Sequence, residues 1–353
     1  MTHPALLSLV TTVPKNQHQQ MEMHDRWLLP YINSPRARAI FAAADIETRY
    51  SVLADTTFLA DEPGSKARND FYLHHARPLA TQAIKQALTQ ARLAATDIDH
   101  LIVISCTGFD TPGLDVMLAG DLGMRPNLRR SALIGMGCYA GLTGLDRAMS
   151  ELAARPESRA LILALELTTL HFQRGAKLEN MIASALFGDG VAATIIGPAS
   201  PQASQLQLLK TMTYTAYDTQ DLMGLHLSDQ GYQIHLAIQA PKVLRAIIPD
   251  LVIGFLDNSN LKISDIRFWG IHPGGPKIVD YMGQALQLQP EALRYSRQVL
   301  RRYGNMSSAT IFFVLDEIRQ QGHPQPGDYT LLLAFGPGLT IELCLAQWSY
   351  DQT

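Results

Sequence analysis

The sequence is short of charge, and neither sign of charge prevails. Of its 353 residues 17% are charged, and the formal net charge at pH 7 is −3. It has no basic run and no basic stripe interleaved with aromatic residues, so we expect no nucleic-acid partner. A hydrophobic content of 47% excludes a disordered chain and predicts a large core. The length suits two domains or one large α/β unit.

Cysteine is equally scarce. Cys106, Cys138 and Cys344 are the three cysteines, far apart in sequence, and none belongs to a C-x-x-C pair. This spacing argues against a zinc ribbon and against a disulfide-stapled scaffold, and we expect no metal. Each cysteine is therefore expected to be a thiol, and the question becomes which of the three is reactive.

Membrane-length apolar runs are missing as well. The segment 1–17 has a short apolar run with no positive region before it, which argues against a signal peptide. The uncharged stretch 190–209 contains Pro198, Pro201 and several polar residues, whereas a membrane span needs about 20 mostly apolar residues. We therefore expect a cytoplasmic protein with no membrane partner.

Short apolar runs that alternate with helical patterns predict an α/β layered fold. The runs rich in β-branched residues read as strands covered on both faces, and the intervening periodic segments read as helices. The predicted strands are 100–108, 159–168, 190–198, 266–275 and 329–348, the last broken by a turn; the clearest predicted helices are 76–93 and 307–322.

The chain has one good candidate for a linker. The segment 198–205 is poor in charge and in periodicity, and a boundary there divides the chain into halves of residues 1–200 and 201–353. Each half runs strand, helix, strand and contains a glycine-bearing turn that opens a helix. This repetition predicts a duplicated architecture.

Cys138 lies in such a turn, within the sequence GMGCYAGL of residues 135–142. Gly135, Gly137 and Gly141 allow a sharp turn and a close approach of substrate. A thiol at a helix N-terminus feels the positive end of the helix dipole, which lowers its pKa. Cys138 is therefore a candidate nucleophile, and the alternative at this stage is a small buried hydrophobic residue.

A cysteine nucleophile needs partners, and two residues in the second half are candidates. His272 follows the apolar run of residues 266–271, at the carboxyl end of a predicted strand. Asn305 precedes a predicted helix, where it could equally be an ordinary cap. The order Cys, His, Asn also occurs in papain-like proteases. That alternative fails because Cys138 lies deep in the chain, follows Gly137, and has no secretory signal upstream.

Several short motifs together resemble the type III polyketide synthases of the chalcone synthase-like family. The resemblance runs from about Leu6 to Trp348 and implies a thiolase fold, in which two similar halves stack as αβαβα layers, in a homodimer. The motifs are SCTGFDTPGLD (105–115), GMGCYAGL (135–142), SALFGDGVAA (184–193), HPGGPKI (272–278), YGNMSSAT (303–310) and FGPGLT (335–340).

The resemblance implies a mechanism with Cys138, His272 and Asn305 as the catalytic residues. Cys138 would accept the acyl group of an acyl-CoA starter, with His272 keeping it as a thiolate. His272 and Asn305 would stabilise the enolate formed when malonyl-CoA loses carbon dioxide. Because CoA thioesters react directly, we expect no cofactor, metal or carrier protein, and the glycine spacing does not fit a dinucleotide-binding motif.

The resemblance also implies a set of substrate-binding residues. Phe187 matches a phenylalanine that gates the CoA tunnel, and Ile234 replaces a second one. Leu225 stands where plant enzymes have glycine and should narrow the cavity, so a chalcone product is not expected. We expect alkylpyrones, alkylresorcinols or a small phenolic as products. The full set is Phe187, Ile234, Leu225, His171, Thr111, Ser307, Gly336, Pro337 and Gly338.

The basic cluster that binds CoA in plant members is poorly matched. Only Arg36 or Arg38 lies near it, with Ala39 and Ala43 at the other positions. Other residues could contact the CoA phosphates, and both arginines also fit a solvated basic face.

Three alternatives to a type III polyketide synthase remain, two enzymes with the same fold and one non-catalytic protein. A ketoacyl-ACP synthase III would need a basic docking patch for its carrier protein, and the sequence shows no clear one. A biosynthetic thiolase needs a second catalytic cysteine, whereas Cys106 and Cys344 lie in strand-like runs and are predicted to be core residues. A non-catalytic paralogue that binds acyl-CoA would be expected to have lost a member of the catalytic set.

Overall fold

The apolar runs of the sequence form strands whose side chains are buried on both faces. The structure is a computed structural model that describes residues 3–175, 177–200, 205–237 and 239–349. All residues of the strands His100–Ser105 and Ala160–Leu167 are buried. The predicted boundary at residues 200 and 201 falls where 201–204 lie outside the described residues.

All of the predicted strand segments contain strands, and further strands lie between them. They are β1 (Pro4–Thr12), β2 (Asn16–Gln19), β3 (Thr48–Ser51), β4 (His100–Ser105), β5 (Arg129–Ile134), β6 (Ala160–Leu167), β7 (Asp189–Pro198), β8 (Gln205–Thr215), β9 (Met223–Ser228), β10 (Gly231–Leu236), β11 (Ile266–Ile271), β12 (Tyr329–Gly336) and β13 (Thr340–Ser349).

The described α-helices connect these strands. They are α1 (Gln20–Met23), α2 (Pro35–Ala42), α3 (Thr57–Ala60), α4 (Ser65–Ala91), α5 (Leu114–Asp121), α6 (Ala140–Ala154), α7 (Leu178–Leu186), α8 (Ala240–Asp257), α9 (Pro276–Ala285), α10 (Arg294–Tyr303) and α11 (Thr310–Gln321).

The sheet shows the predicted duplication directly. Nine strands pair in the order β11-β12-β13-β8-β1-β7-β6-β4-β5. In the first half β4 is parallel to β6, and β6, β7 and β1 then pair antiparallel; in the second, β11, β12, β13 and β8 repeat this arrangement. Among the described strands, the two halves of the sheet join where β1 meets β8, at the pair Ala5 and Gln207.

Three hydrophobic clusters define five layers. One face of β4 and β6 packs with α4, while the opposite face packs against α6 and α11. The same two helices cover the inner face of β12 and β13, whose outer face packs against α8 and α9. The α/β/α/β/α layering predicted from the sequence is thus confirmed, with α6 and α11 buried between the two halves of the sheet.

The longest described helix begins earlier than expected. The sequence predicts a helix over 76–93, whereas α4 extends from Ser65 to Ala91 and contains Pro78 in its interior. Proline usually marks a helix start, but here Ala76 and Ala80 on either side are buried against the sheet, and this packing keeps the helix continuous. Among the described helices, none combines the length and the apolar character that crossing a bilayer requires.

Candidate active site

The turn that carries Cys138 connects β5 to α6. Gly135 and Gly137 have φ values of 75° and 77°, in the left-handed region that favours glycine. Residues 137–139 form a short 3-10 helix that leads into α6, so Cys138 lies at the start of the central helix, as predicted. A Cβ on Gly137 would lie 2.6 Å from the Cδ of Pro337, which excludes any side chain there.

His272 and Asn305 reach the same place from the second half. His272 follows β11, and its backbone N–H donates to the Leu333 carbonyl at 2.8 Å. Asn305 lies between α10 and α11, and its Oδ1 accepts the Ser307 backbone N–H at 2.9 Å. Because Oδ1 is engaged with the backbone, the amide nitrogen of Asn305 is left for another partner.

One cavity of about 620 Å³ unites the three side chains. Cys138, His272 and Asn305 all line it, and most of its other wall residues are apolar. His272 is fully buried, and neither of its ring nitrogens has a hydrogen-bond partner among the described residues. Since buried polar atoms are normally paired, this imidazole is suited to a hydrogen bond with a bound molecule.

Burial shifts the pKa values of the two ionisable catalytic candidates in opposite directions. It raises the pKa of the Cys138 thiol to about 12, although hydrogen bonds to Ser307 and Asn305 partly oppose it. It lowers the pKa of His272 to about 3. Both shifts oppose a charge on the side chain, because a poorly solvated cavity disfavours the ionised form. The thiolate expected from the helix dipole and from His272 stays a prediction.

Most of the predicted substrate-binding residues line the cavity. Phe187 and Pro337 lie near the reactive groups, Leu225 and Ile234 project from the β9–β10 hairpin, and Ser307 begins the short 3-10 helix before α11. The Cys138 thiol is 3.7 Å from the Ser307 hydroxyl.

Three of the predicted substrate-binding residues lie elsewhere in the described structure. Gly336 is behind the nucleophile turn, because a Cβ there would lie 3.2 Å from the Cys138 backbone nitrogen. Gly338 has a φ of 72° in the turn before β13 and is outside the cavity wall. Thr111 is in an exposed loop and does not line the cavity of its own chain.

His171 is held as a neutral ring in the cavity wall. Its Nε2 donates to the Thr107 carbonyl at 2.7 Å, and its Nδ1 accepts the Tyr232 backbone N–H at 3.2 Å. Burial lowers the pKa of His171 to about 4. Both nitrogens are thereby engaged, so His171 presents carbon edges to the cavity and shapes it.

Cys106 corrects a sequence-based expectation. It was expected inside a strand as a core residue, but it follows the end of β4 and lines the cavity. Its Sγ is 3.3 Å from the Ser307 hydroxyl, which also contacts Cys138. Burial raises the pKa of the Cys106 thiol well above its ordinary value. Cys344, by contrast, is fully buried in β13, as expected.

Glu166 is a buried carboxylate that sequence reasoning missed. It accepts hydrogen bonds from the Cys106 backbone at 3.0 Å, the Thr107 hydroxyl at 2.8 Å and the Ser308 hydroxyl at 2.5 Å. Burial raises its pKa. A lone acidic residue within the apolar run 159–168 was the available signal, because a strand buried on both faces rarely keeps a carboxylate without partners.

Two cations lie at the edge of the cavity. Arg36 is the second residue of α2 and Lys277 the second residue of α9, and both side chains are exposed. They are the only lysine or arginine residues in the described cavity wall. Arg38, the other candidate from the sequence, is instead paired with Asp25 at 3.2 Å.

The chain matches known proteins over almost its whole length. Residues 3–201 match the N-terminal domain of chalcone and stilbene synthases, and residues 207–348 match the C-terminal domain. It is 33% identical over 345 residues to a 1,3,6,8-tetrahydroxynaphthalene synthase of Streptomyces peucetius subsp. caesius, covering 96% of this chain and 91% of the relative. It is 30% identical over 347 residues to a 3,5-dihydroxyphenylacetyl-CoA synthase of Amycolatopsis balhimycina, covering 96% and 91%.

Solved structures agree with these matches. The crystal structure of PKS-I from the brown alga Ectocarpus siliculosus superposes with a TM-score of 0.93 at 26% identity, covering 99% of both chains. These matches do not favour a ketoacyl-ACP synthase III or a non-catalytic paralogue. The thiolase-like fold, the duplicated sheet and the family matches lead to one conclusion: the chain belongs to the chalcone and stilbene synthase family, as a bacterial-type type III polyketide synthase.

Proposed function

We propose that the chain extends an acyl group, held as a thioester on Cys138, with two-carbon units from malonyl-CoA and then cyclises the product. The observation that carries this proposal is the meeting of one thiol, one unpartnered imidazole and one amide in a largely apolar cavity. Each comes from a different loop, so their meeting is a property of the fold and supports a shared chemical task.

In the loading step the Cys138 sulfur attacks the thioester carbonyl of the starter, and the bond from that carbonyl to the CoA sulfur breaks. His272 accepts the thiol proton and delivers it to the departing CoA sulfur. Burial raises the pKa of the thiol and lowers the pKa of the imidazole, which favours neutral groups before the attack. We therefore propose that the proton moves in step with the attack.

In the extension step the bond between the carboxylate and the methylene carbon of malonyl-CoA breaks. Carbon dioxide leaves, and the electron pair forms the enolate of acetyl-CoA. A ring N–H of His272 and the amide N–H of Asn305 donate to the enolate oxygen, without a negative charge beside it. The enolate carbon attacks the acyl carbonyl on Cys138, which releases the sulfur as a thiolate. The longer chain then returns to that sulfur, displacing CoA.

The two cations at the cavity mouth support CoA as the carrier of both substrates. Arg36 and Lys277 are exposed, line the cavity, and form no ion pair among the described residues. CoA brings several phosphate charges to the entrance of a mostly apolar cavity, and unpaired cations are suited to bind them. We assign the phosphate contacts to these two residues, which replaces the poorly matched plant cluster.

The cavity wall supports a small aromatic or pyrone product formed from an apolar or short starter. Leu225 and Ile234 make the β9–β10 side aliphatic, and His171 has no nitrogen left to offer. A volume of about 620 Å³ is within the usual range for a pocket that encloses a compact ligand. Products of the two similar synthases, a tetrahydroxynaphthalene and a dihydroxyphenylacetyl-CoA, are phenolic.

The edge of the sheet supports a homodimer. Among the described strands β5 pairs with β4 alone, so its outer edge offers backbone groups for pairing. Phe109, Val116 and Ile134 near this edge are 47%, 41% and 51% exposed. Pairing of β5 with a second copy would cover these side chains, and it would also enclose the exposed loop that contains Thr111.

Mass spectrometry of the intact protein and of its products tests the proposal. Wild type and Cys138→Ala are incubated with malonyl-CoA and a panel of acyl-CoA starters. We expect an adduct of starter mass and a cyclised product, both lost in Cys138→Ala and both retained in the matched control Cys344→Ala. An adduct that persists in Cys138→Ala would overturn the assignment of the nucleophile. Extension of malonyl-carrier protein but not of malonyl-CoA would overturn the substrate assignment.

A further inference from the structure

The gate residue Phe187 and the amide residue Asn305 share one backbone junction. The Asn305 N–H donates to the Leu186 carbonyl at 2.8 Å, and the Gly188 N–H donates to the Asn305 carbonyl at 3.0 Å. This pairing is the only bridge between the end of α7, in the first half, and the loop before α11, in the second, among the described residues. Whatever fixes the end of α7 therefore also fixes Asn305.

Arg49, from β3, lies directly beneath this junction and is fully buried. Its Nη1 donates to the carbonyls of Ser184 and Phe187, both at 2.7 Å. Ser184 lies in the last turn of α7 and Phe187 is its C-cap, so the helix itself leaves both carbonyls without partners. A cation there is also favourable because the C-terminal end of a helix is partially negative.

The side-chain stem of Arg49 packs against the glycines that flank the junction. A Cβ on Gly304 would lie 2.9 Å from the Cδ of Arg49, and a Cβ on Gly188 would lie 3.6 Å from its Cβ. Gly304 also has a φ of 70°, which favours glycine. The backbone at Gly188 and the backbone at Gly304 thus both pack closely against the aliphatic part of the Arg49 side chain.

A guanidinium buried at this position is unfavourable for the stability of the fold. Its Nε and Nη2 have no hydrogen-bond partner among the described residues. Burial lowers the pKa of Arg49 to about 9, and the buried Asp189 opposes this only in part. Replacing a buried charge by an apolar side chain of similar size is often neutral or stabilising. A charged side chain here therefore indicates that the end of α7 must be held in position. The two hydrogen bonds from Nη1 of Arg49 to the Ser184 and Phe187 carbonyls do this.

We propose that Arg49 is a positioning residue, which aims the Asn305 amide at the enolate oxygen by fixing the junction between α7 and the Asn305 loop. The inference depends on the proposed function, because it takes the role of Asn305 from there. Arg49 does not line the cavity and does not touch substrate. It acts through Phe187 and Asn305 alone.

Two partial reactions separate positioning from a general structural role. Alkylation of Cys138 by iodoacetamide does not need donors to an enolate oxygen, whereas we expect decarboxylation of malonyl-CoA to require both His272 and Asn305. We expect Arg49→Met to slow decarboxylation about 10- to 100-fold, since a displacement of about 1 Å can have an effect of this size. The alkylation rate should change less than about threefold, and kcat should fall more than KM rises.

Arg49→Lys tests whether the charge and one donor group are sufficient. We expect it to retain an intermediate decarboxylation rate, because an ammonium can donate to both carbonyls without the rigid geometry of guanidinium. It also keeps the proposal testable if Arg49→Met fails to fold. Arg319→Met is the matched control, because Arg319 donates to the Leu9 carbonyl and pairs with Asp316 on α11. It should leave the ratio of the two rates unchanged.

A double-mutant cycle with Asn305→Ala distinguishes the two possible failures. If Arg49 acts through Asn305, Arg49→Met should slow decarboxylation little further once Asn305 is alanine. If Asn305→Ala itself leaves decarboxylation intact, the proposed function fails first. If Asn305→Ala slows it but Arg49→Met slows both partial reactions equally, or neither, the positioning role is wrong and the proposed function stands.

Discussion

The turns that deliver Cys138 and Asn305 occupy equivalent places in the two halves of the fold. Each leads through a three-residue 3-10 helix into a central helix, residues 137–139 into α6 and residues 307–309 into α11. The first residue of each 3-10 helix has a positive φ, 77° at Gly137 and 49° at Ser307. Cys138 lies within the first 3-10 helix, whereas Asn305 lies two residues before the second.

The two turns differ in what surrounds them. Gly137 has no room for a side chain because Pro337 lies against it, whereas Ser307 has a hydroxyl that contacts both Cys106 and Cys138. The residue with the left-handed backbone is thus glycine at position 137, where space is lacking. It is serine at position 307, where the side chain gains a polar contact. Duplication supplies two equivalent positions, and local packing decides which chemistry each can hold.

The largest loss of activity should come from removing the Asn305 amide, in the second turn. Asn305→Ala should lower polyketide formation about 100- to 1,000-fold, the usual effect of losing one donor to a developing oxyanion. Alkylation of Cys138 by iodoacetamide should slow far less than product formation, because the hydrogen bond to Asn305 is only one of those that lower the pKa of the thiol. Product formation by mass spectrometry and the labelling rate measure the two effects, and a parallel loss of both would contradict the division of labour between the turns.

Substitutions at the first residues of the two 3-10 helices should differ in their effect on stability. Gly137→Ala should lower the free energy of unfolding by about 1–3 kcal/mol, because its Cβ would lie 2.6 Å from Pro337 at a positive φ. Ser307→Gly should change it by less than about 1 kcal/mol, since glycine tolerates this backbone.

Urea unfolding of both variants measures this difference. Ser307→Gly should in addition slow the alkylation of Cys138, because the hydroxyl contact that lowers its pKa is lost. Equal destabilisation by both substitutions would show that the two turns are under the same packing constraint.

The buried imidazole opposite the first turn should make the fold sensitive to acid. The pKa of His272 falls from its ordinary value of 6.5 to about 3 in the folded chain. Between these values the unfolded chain binds more protons, so stability is lost as the pH falls from about 6.5 towards 3. We expect His272→Gln to reduce the drop in melting temperature between pH 7 and pH 5. An unchanged drop would mean that other groups, such as His171, dominate it.

The smallest effects should come from the mouth of the cavity, away from both turns. Arg36→Ala and Lys277→Ala should each raise KM for malonyl-CoA about two- to fivefold with little change in kcat, since exposed charge contacts are worth up to about 1 kcal/mol. The effect should shrink at high salt. Arg38→Ala is the control, because Arg38 is already paired with Asp25. An equally large rise in KM in Arg38→Ala would contradict the assignment of the CoA phosphate contacts to Arg36 and Lys277.

The sequence located much of the site because its signals are local. A cysteine among glycines between a strand and a helix, a histidine at the end of an apolar run, and an asparagine before a helix each reflect their immediate neighbours. Cys106 was placed in the core because it follows an apolar run, and Arg49 was missed because nothing adjacent to it in sequence marks it. Cys106 acquires its position from the end of β4, and Arg49 from carbonyls 135 and 138 residues away.

By itself the sequence determined the layered α/β architecture, the repeated halves and the family, since these depend on apolar periodicity and on short motifs. Only the tertiary structure decided the burial that raises the pKa of Cys138 and lowers the pKa of His272, because burial, and not the residue type, sets the cost of a charge. It also decided that Thr111 lies outside the cavity while Cys106, Arg36 and Lys277 line it. Which side chains meet depends on how strands distant in sequence are placed side by side, and no local pattern encodes that distance.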